Sequence, residues 1–379
     1  MASVYVMHPD GSTRLMEKVR CKSEEYELQQ ILEQNPDLLP GDQIDPEDPR
    51  RWLLIKREMP VPDPSTGTDR WSVDFVFADQ DAIPTFVECK RFEDTRARRE
   101  VVGQMLEYAA NGHYYWDKET LRGFAEQAAA AKGLSLDDAL RSLMPGSADS
   151  PDVYFETLEQ NLREGQLRIV FFLERSPMEL RSVVDFLNKQ MERSEVLLVE
   201  ARQYRWEGTR VVVPMLFGYT EQARQVKRSV TVTTAGSRKK WDRSSYFADA
   251  EAKLAPSDVK ALEEVLDKTI RLGYEISWGT GASTGSFNVK DPAICPRSLL
   301  TFNSDGRMYF NSSWLNGSET AERGRDMLKD LLVGIVGVEI PADYAQSTPG
   351  FRISAWGSKA SLIVRALEDL AGQFHATAQ

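Results

Sequence analysis

Two runs decide the architecture: Trp71-Ser72-Val73-Asp74-Phe75-Val76-Phe77 and Thr85-Phe86-Val87-Glu88-Cys89-Lys90. Both are rich in β-branched and aromatic residues, and a polar turn separates them, so they read as one β-hairpin. Strand side chains alternate between faces. Trp71, Val73, Phe75 and Phe77 therefore share one face, and Asp74 projects from the other. On the second strand Glu88 and Lys90 share a face, with Val87 and Cys89 turned away. Asp74 and Glu88 each lie seven residues from Asp81, so a fold-back about Asp81 sets them directly opposite each other. Paired β-carbons are about 4.5–5.5 Å apart, where like charges repel.

A hard cation would turn that repulsion into binding. Mg²⁺ is commonly held by one or two carboxylates, with water and substrate phosphate oxygens completing its shell. Lys90, about 6–7 Å along the strand from Glu88, is placed to orient a water or to neutralise charge developing on phosphate. That is equipment for hydrolysing a phosphodiester. The same spacing also suits an ordinary hairpin with charges on its wet face, so the neighbouring elements matter.

Downstream, 96–111 carries Val101, Met105 and Tyr108 at helical spacing, with Gln104 beside that stripe. Gln104 is either a helix-packing amide or a residue reaching the proposed site. The entry to this helix is basic. Lys90, Arg91, Arg96, Arg98 and Arg99 form either a solvated face or an anion-binding one. Upstream, Ser23 is a natural N-cap for an amphipathic helix with Leu28, Ile31 and Leu32 on its buried stripe. Glu25 projects from the edge of that stripe as a further acidic contributor, with Glu24 next. Acids in a first turn also simply complement the helix dipole.

The order of acidic helix, Asp strand, Glu-x-Lys strand and Gln-x-x-x-Tyr helix resembles the PD-(D/E)xK nuclease superfamily, the restriction-endonuclease-like fold. Gln104 and Tyr108 are similar to the matching element of RecB-type nuclease domains. Glu25-Tyr26-Glu27-Leu28-Gln29, Asn35-Pro36-Asp37-Leu38-Leu39 and 98–111 resemble bacterial proteins with endonuclease-like domains of the archaeal mismatch- and branch-cutting type. The resemblance spans roughly residues 20–217. It implies Asp74 and Glu88 as ligands of Mg²⁺ (or Mn²⁺), with the Cys89 carbonyl a third. It makes Lys90 the catalytic lysine, Gln104 and Tyr108 site-lining residues, and Glu25 the helix-borne acid. No proline precedes Asp74, a departure the superfamily tolerates. The implied activity is endonucleolytic cleavage, of DNA in preference to RNA and in a defence or repair setting. The fold's habit of cutting as a dimer allows a homodimer.

Bulk properties agree with a nuclease without requiring one. At 379 residues two domains are expected, and 41% apolar residues suffice for globular cores. No run of about 18 apolar residues suggests a membrane span. The N-terminus lacks the basic start and apolar core of a secretory signal. Three widely spaced cysteines and three histidines away from them argue against a zinc site and for a reducing, cytoplasmic setting. A net charge of −11 disfavours broad nucleic-acid coating but leaves room for a local basic groove. Arg224, Lys227, Arg228, Arg238, Lys239, Lys240 and Arg243 face one acid, Asp242, in 224–243. They form either a nucleic-acid patch or a solubilising linker.

The expected class is thus α/β. A mixed central sheet flanked by helices occupies 1–220, with a helical insertion at about 113–165. A basic flexible linker follows at 221–245, then a smaller α+β recognition or regulatory domain at 246–379. The segment 279–285 fails the spacing of phosphate-binding glycine loops and reads as a strand connection. The second domain is expected to bind nucleic acid, a regulatory ligand or a protein partner. Two other functions remain open at this level: a non-catalytic nucleic-acid-binding protein that keeps the nuclease fold, and an interaction scaffold.

Overall fold

The protein is described by a computed structural model over residues 3–21, 23–46, 48–62, 69–91, 95–145, 150–219, 227, 241–279 and 284–375, with backbone alone at 24–26, 62, 69–71, 95–100, 113 and 375. The chain divides into two units, Met1–Gly133 with Asp152–Thr234, and Leu134–Pro151 with Ala235–Gln379.

The first unit opens with a small antiparallel hairpin, β1 (Tyr5–Met7) and β2 (Thr13–Leu15), followed by β3 (Glu17–Val19). A π-helical turn, Glu24–Gln29, runs directly into α1 (Gln30–Gln34), and α2 (Gly41–Ile44) follows. Three antiparallel strands come next: β4 (Leu53–Pro62), β5 (Asp69–Ala78) and β6 (Pro84–Lys90). After α3 (Thr95–Asn111) and α4 (Lys118–Ala131) come α5 (Leu136–Leu143) and α6 (Pro151–Arg163). β7 (Arg168–Leu173) then pairs parallel to β6, and α7 (Met178–Gln190) leads to β8 (Glu195–Trp206), parallel to β7. β9 (Thr209–Phe217) returns antiparallel along β8. The sheet order is β3-β8-β7-β6-β5-β4, with β9 on the other side of β8.

Near-continuous apolar runs explain the centre of this sheet. Every residue from Val73 to Ala78 and from Pro84 to Cys89 is buried, as expected where helices cover both faces. On one face Phe75, Phe77, Val87, Cys89, Val170 and Phe172 pack with Leu28, Leu32, Leu39 and Ile44. On the other face Phe86 meets Trp116 edge to face at 5.6 Å. The stripe expected on α3 is buried there too, at Val101, Met105 and Tyr108.

The stretch expected as one insertion at 113–165 is divided. α4 packs along β4, and the Tyr154 hydroxyl of α6 donates to the Asp79 carbonyl at 2.8 Å, so both belong to the first unit. Residues 134–151 group with the second unit. There Trp314 Nε1 donates to the Ser142 carbonyl at 2.7 Å. Helical periodicity sees only that a helix has a buried face, not which core receives it.

The second unit also begins earlier than expected. α8 (Arg243–Lys253) takes up the last residues assigned to the linker, with Asp242 and Ser245 forming a capping box. α9 (Pro256–Arg271) precedes an antiparallel sheet in the order β10 (Glu275–Trp278), β11 (Ser286–Asp291), β12 (Cys295–Asn303), β13 (Met308–Phe310), β14 (Gly350–Phe351). Phe287, Val289, Leu300, Phe302, Met308 and Phe310 meet residues from α9, α10 (Glu319–Leu331) and α12 (Ala360–His375), which follows the short α11 (Ile353–Trp356). On the opposite face Asn311 donates to Thr301 at 2.9 Å and Thr301 to Asn288 at 2.7 Å, a polar line across the strands. The turn at Asp305-Gly306 is tight, with Gly306 at φ +82°. No helix among the described residues is long and apolar enough to cross a membrane.

Candidate functional site

The β5–β6 ladder runs from Ala78↔Pro84 to Phe75↔Val87. One more step in that register sets Asp74 opposite Glu88, the fold-back about Asp81 that the spacing demanded. Backbone pairing stops there because the Asp74 carboxylate takes the next amide: Cys89 N–H donates to Asp74 Oδ2 at 2.7 Å. Asp74 and Glu88 are 8% and 5% exposed, so this is no wet sheet face. Lys90 Nζ lies 3.1 Å from Glu88 Oε1, while Glu88 Oε2 is buried without a hydrogen-bond partner among the described residues. An unsatisfied buried carboxylate oxygen costs free energy and calls for an explanation.

The electrostatics point the same way. Burial pushes the Asp74 carboxyl up, against the Cys89 amide and Lys90, which pull it down. Burial, and next to it the neighbouring Asp74, push Glu88 up to about 7, with Lys90 opposing. Burial followed by Glu88 and Asp74 pushes the Tyr108 phenol up to about 12, so α3's tyrosine feels both carboxylates and keeps its proton. Gln104, half-buried, sits one helical turn before Tyr108 on α3.

Two residues at this site escaped the sequence reading. Gln29, 5% exposed at the end of the π-helical turn, donates from its side chain to Asp74. Its Oε1 accepts from Arg57 Nη2 at 3.2 Å, and Arg57 Nη1 is bonded to Glu33 at 2.6 Å. Gln29 is one helical turn beyond Glu25, and nothing in the spacing distinguishes it from a surface glutamine. Glu58 lies between the pairs Arg57↔Phe75 and Met59↔Val73, which sets it on β4 opposite Asp74 of β5. Its charge raises Asp74, Ser72 Oγ donates to it at 3.0 Å, and its φ is +51°. That conformation is uncommon for a residue with a β-carbon. Glu58 and Asp74 are equidistant from Thr66, as Asp74 and Glu88 are from Asp81, so the same spacing in the sequence points to it.

No protein-family model, curated protein or solved structure matches this chain.

The residues singled out in the sequence divide into three groups. Asp74, Glu88, Lys90 and Tyr108 come together, with Gln104 adjoining on α3. Cys89 contributes its backbone alone, because its thiol is buried in the opposite core. Arg91 follows β6 directly and is half-buried. The side chains of Glu24, Glu25, Arg96, Arg98 and Arg99 lie outside the described residues, as do Lys239 and Lys240 entirely. Among the described residues no three carboxylate, imidazole or thiolate groups form a metal cage. Two carboxylates with open positions suit an oxygen-seeking ion such as Mg²⁺ better than zinc, whose structural sites are closed.

The raised Glu88 carries a stability prediction for the metal-free protein. A carboxyl whose folded pKa exceeds its unfolded one contributes stability at low pH, and that contribution is lost as pH rises through about 7. Glu88→Gln should therefore melt higher than wild type at about pH 8, by on the order of 2 kcal/mol or roughly 4–8 °C. The gap should close towards about pH 5. Thermal melts across pH in a chelating buffer check this; a gap that does not widen with pH contradicts it.

Proposed function

We propose that the first unit is a metal-dependent phosphodiesterase, an endonuclease of the PD-(D/E)xK type acting on nucleic acid, DNA in preference to RNA. The observation that carries this reading is the unpartnered Glu88 Oε2, buried beside Asp74 with Lys90 on the same face. Two buried carboxylates sharing the single charge of Lys90 remain unfavourable, and a divalent cation removes the conflict. The element order supports the restriction-endonuclease-like assignment: a helix, a three-stranded antiparallel meander, a helix, then a parallel strand beside the Glu-x-Lys strand.

When bound, Mg²⁺ or Mn²⁺ would polarise the phosphoryl group and acidify a water, held by Asp74 and Glu88. The chain's own groups divide the remaining work. The Cys89 amide and Gln29 fix the Asp74 carboxylate, so that ligand is set before substrate arrives. Lys90, whose ammonium engages Glu88 at 3.1 Å, is placed to orient the attacking water or meet charge on phosphate. Tyr108 stays protonated and acts as a donor rather than a base. The second unit supplies recognition or regulation.

Calorimetric titration with Mn²⁺ tests the reading. Wild type should take up metal, and Glu88→Gln and Asp74→Asn should not. Uptake that ignores both substitutions, or none in any protein, would remove the proposal.

A further inference from the structure

A groove of about 860 Å³ runs along β4 between α1 and α4. Its walls carry Lys56, Arg57 and Lys132 against a single acid, Glu33, in a chain whose net charge is −11. Gln30, Gln34 and Gln127 offer amides that both donate and accept. Phe124 also lines the groove, with Lys56 Nζ 4.5 Å from its ring centroid on one face. Hydrogen bonds link the groove's wall to the carboxylate pair. Arg57 borders it and donates to Gln29, which holds Asp74. Arg57 also precedes Glu58, the residue on β4 opposite Asp74 of β5.

We infer that this groove is a binding site for an unpaired nucleic-acid strand that leads to or from the Asp74–Glu88 pair. This rests on the nuclease reading for its direction, but not for its chemistry. Cations spaced along a channel track phosphates, and an aromatic face stacks a base whatever its identity. Amides on both walls pair with base edges, which a single strand exposes and a duplex turns inward. The volume is that of a small-molecule site, enough for a few unpaired nucleotides. An acidic peptide would use the cations and leave Phe124 and the glutamines without a role.

The test is fluorescence anisotropy of the full chain with a short labelled oligothymidylate, in chelator and over a range of potassium chloride. Lys56→Glu with Lys132→Glu should weaken binding about tenfold or more and flatten the salt dependence by roughly 1.4, at about 0.7 per phosphate contact. Phe124→Leu, which keeps an apolar side chain on the helix, should cost about tenfold through lost stacking and leave the salt slope alone. Glu33→Gln should tighten binding. Unchanged affinity and slope in the double charge reversal, with a wild-type melting curve, overturns the inference. So does equal affinity for a duplex of the same length, or displacement by oligoglutamate as readily as by unlabelled oligonucleotide. No metal is present and no cleavage is scored, so this result stands apart from the metal titration; an inactive protein that binds the strand here would retain the groove and lose the nuclease.

Discussion

Asp74→Asn and Lys90→Ala should each reduce metal-dependent cleavage of nucleic acid by about 10²–10³-fold or more, while leaving strand binding in chelator within a factor of about two. Asparagine keeps an oxygen for the Cys89 amide, which asks 2.7 Å of Asp74 Oδ2. The substitution therefore removes charge while keeping an acceptor for the Cys89 amide. Loss of activity with an intact fold then reports on the ion and not on the sheet. Lys90→Ala tests something else. Its ammonium holds Glu88 at 3.1 Å and is more exposed than either carboxylate, at 28%. If it meets substrate or water, kcat falls while metal affinity survives. If it only neutralises Glu88, metal affinity changes and kcat at saturating metal is retained. Cleavage of a panel of DNA and RNA forms, with Mg²⁺ and with Mn²⁺, is the measurement. Three proteins that cut alike would end the catalytic assignment.

The second large effect is on stability, at the far end of the same hairpin. Arg168, 3% exposed, donates to Asp79 Oδ2 and to Thr85 at 3.1 Å each and to Glu195 at 2.6 Å. Asp79 is fully buried, and its Oδ1 also accepts the amides of Asp81 and Ile83, which shapes the turn that sets the Asp74–Glu88 register. Arg50 reaches Asp79 at 3.7 Å and pairs with Asp45 and Asp81. Removing one partner of a buried ion pair strands the other, at about 3–5 kcal/mol. Arg168→Met should therefore lower the melting temperature of the first unit by roughly 6–20 °C. Arg168→Met combined with Asp79→Asn should recover part of that loss, because one of the two stranded carboxylates, the fully buried one, is gone. A loss below about 1 kcal/mol, the size of a surface pair, would show that water or Arg50 already satisfies Asp79.

Arg57 of the groove and the Asp74 carboxylate meet at Gln29, and this separates what is written locally from what is not. Period-two alternation and the equal distances of Asp74 and Glu88 from Asp81 are properties of the chain itself. They gave the hairpin, its register and the shared face of Glu88 and Lys90. Helical spacing likewise gave the buried stripe of α3 and so the position of Tyr108. The helix at 243–253 is legible too in its caps, Asp242 and Ser245, although the basic run continues into it at Arg243.

Other features depend on contacts between residues distant in sequence. The burial of Asp74 and Glu88 turns an unremarkable pair of surface charges into a strained one, and only helices on both faces of the sheet produce it. Gln29 gains its role because a π-helical turn packs against β6 and brings its side chain to Asp74 on β5. Glu58 gains its place from the β4 register. Residues 134–151 carry an apolar helical face that fits more than one core, and packing chose the second unit. Spacing along the chain thus determined which side chains share a strand face. Tertiary structure decided which of them lost water, and loss of water is what makes a carboxylate demand a cation.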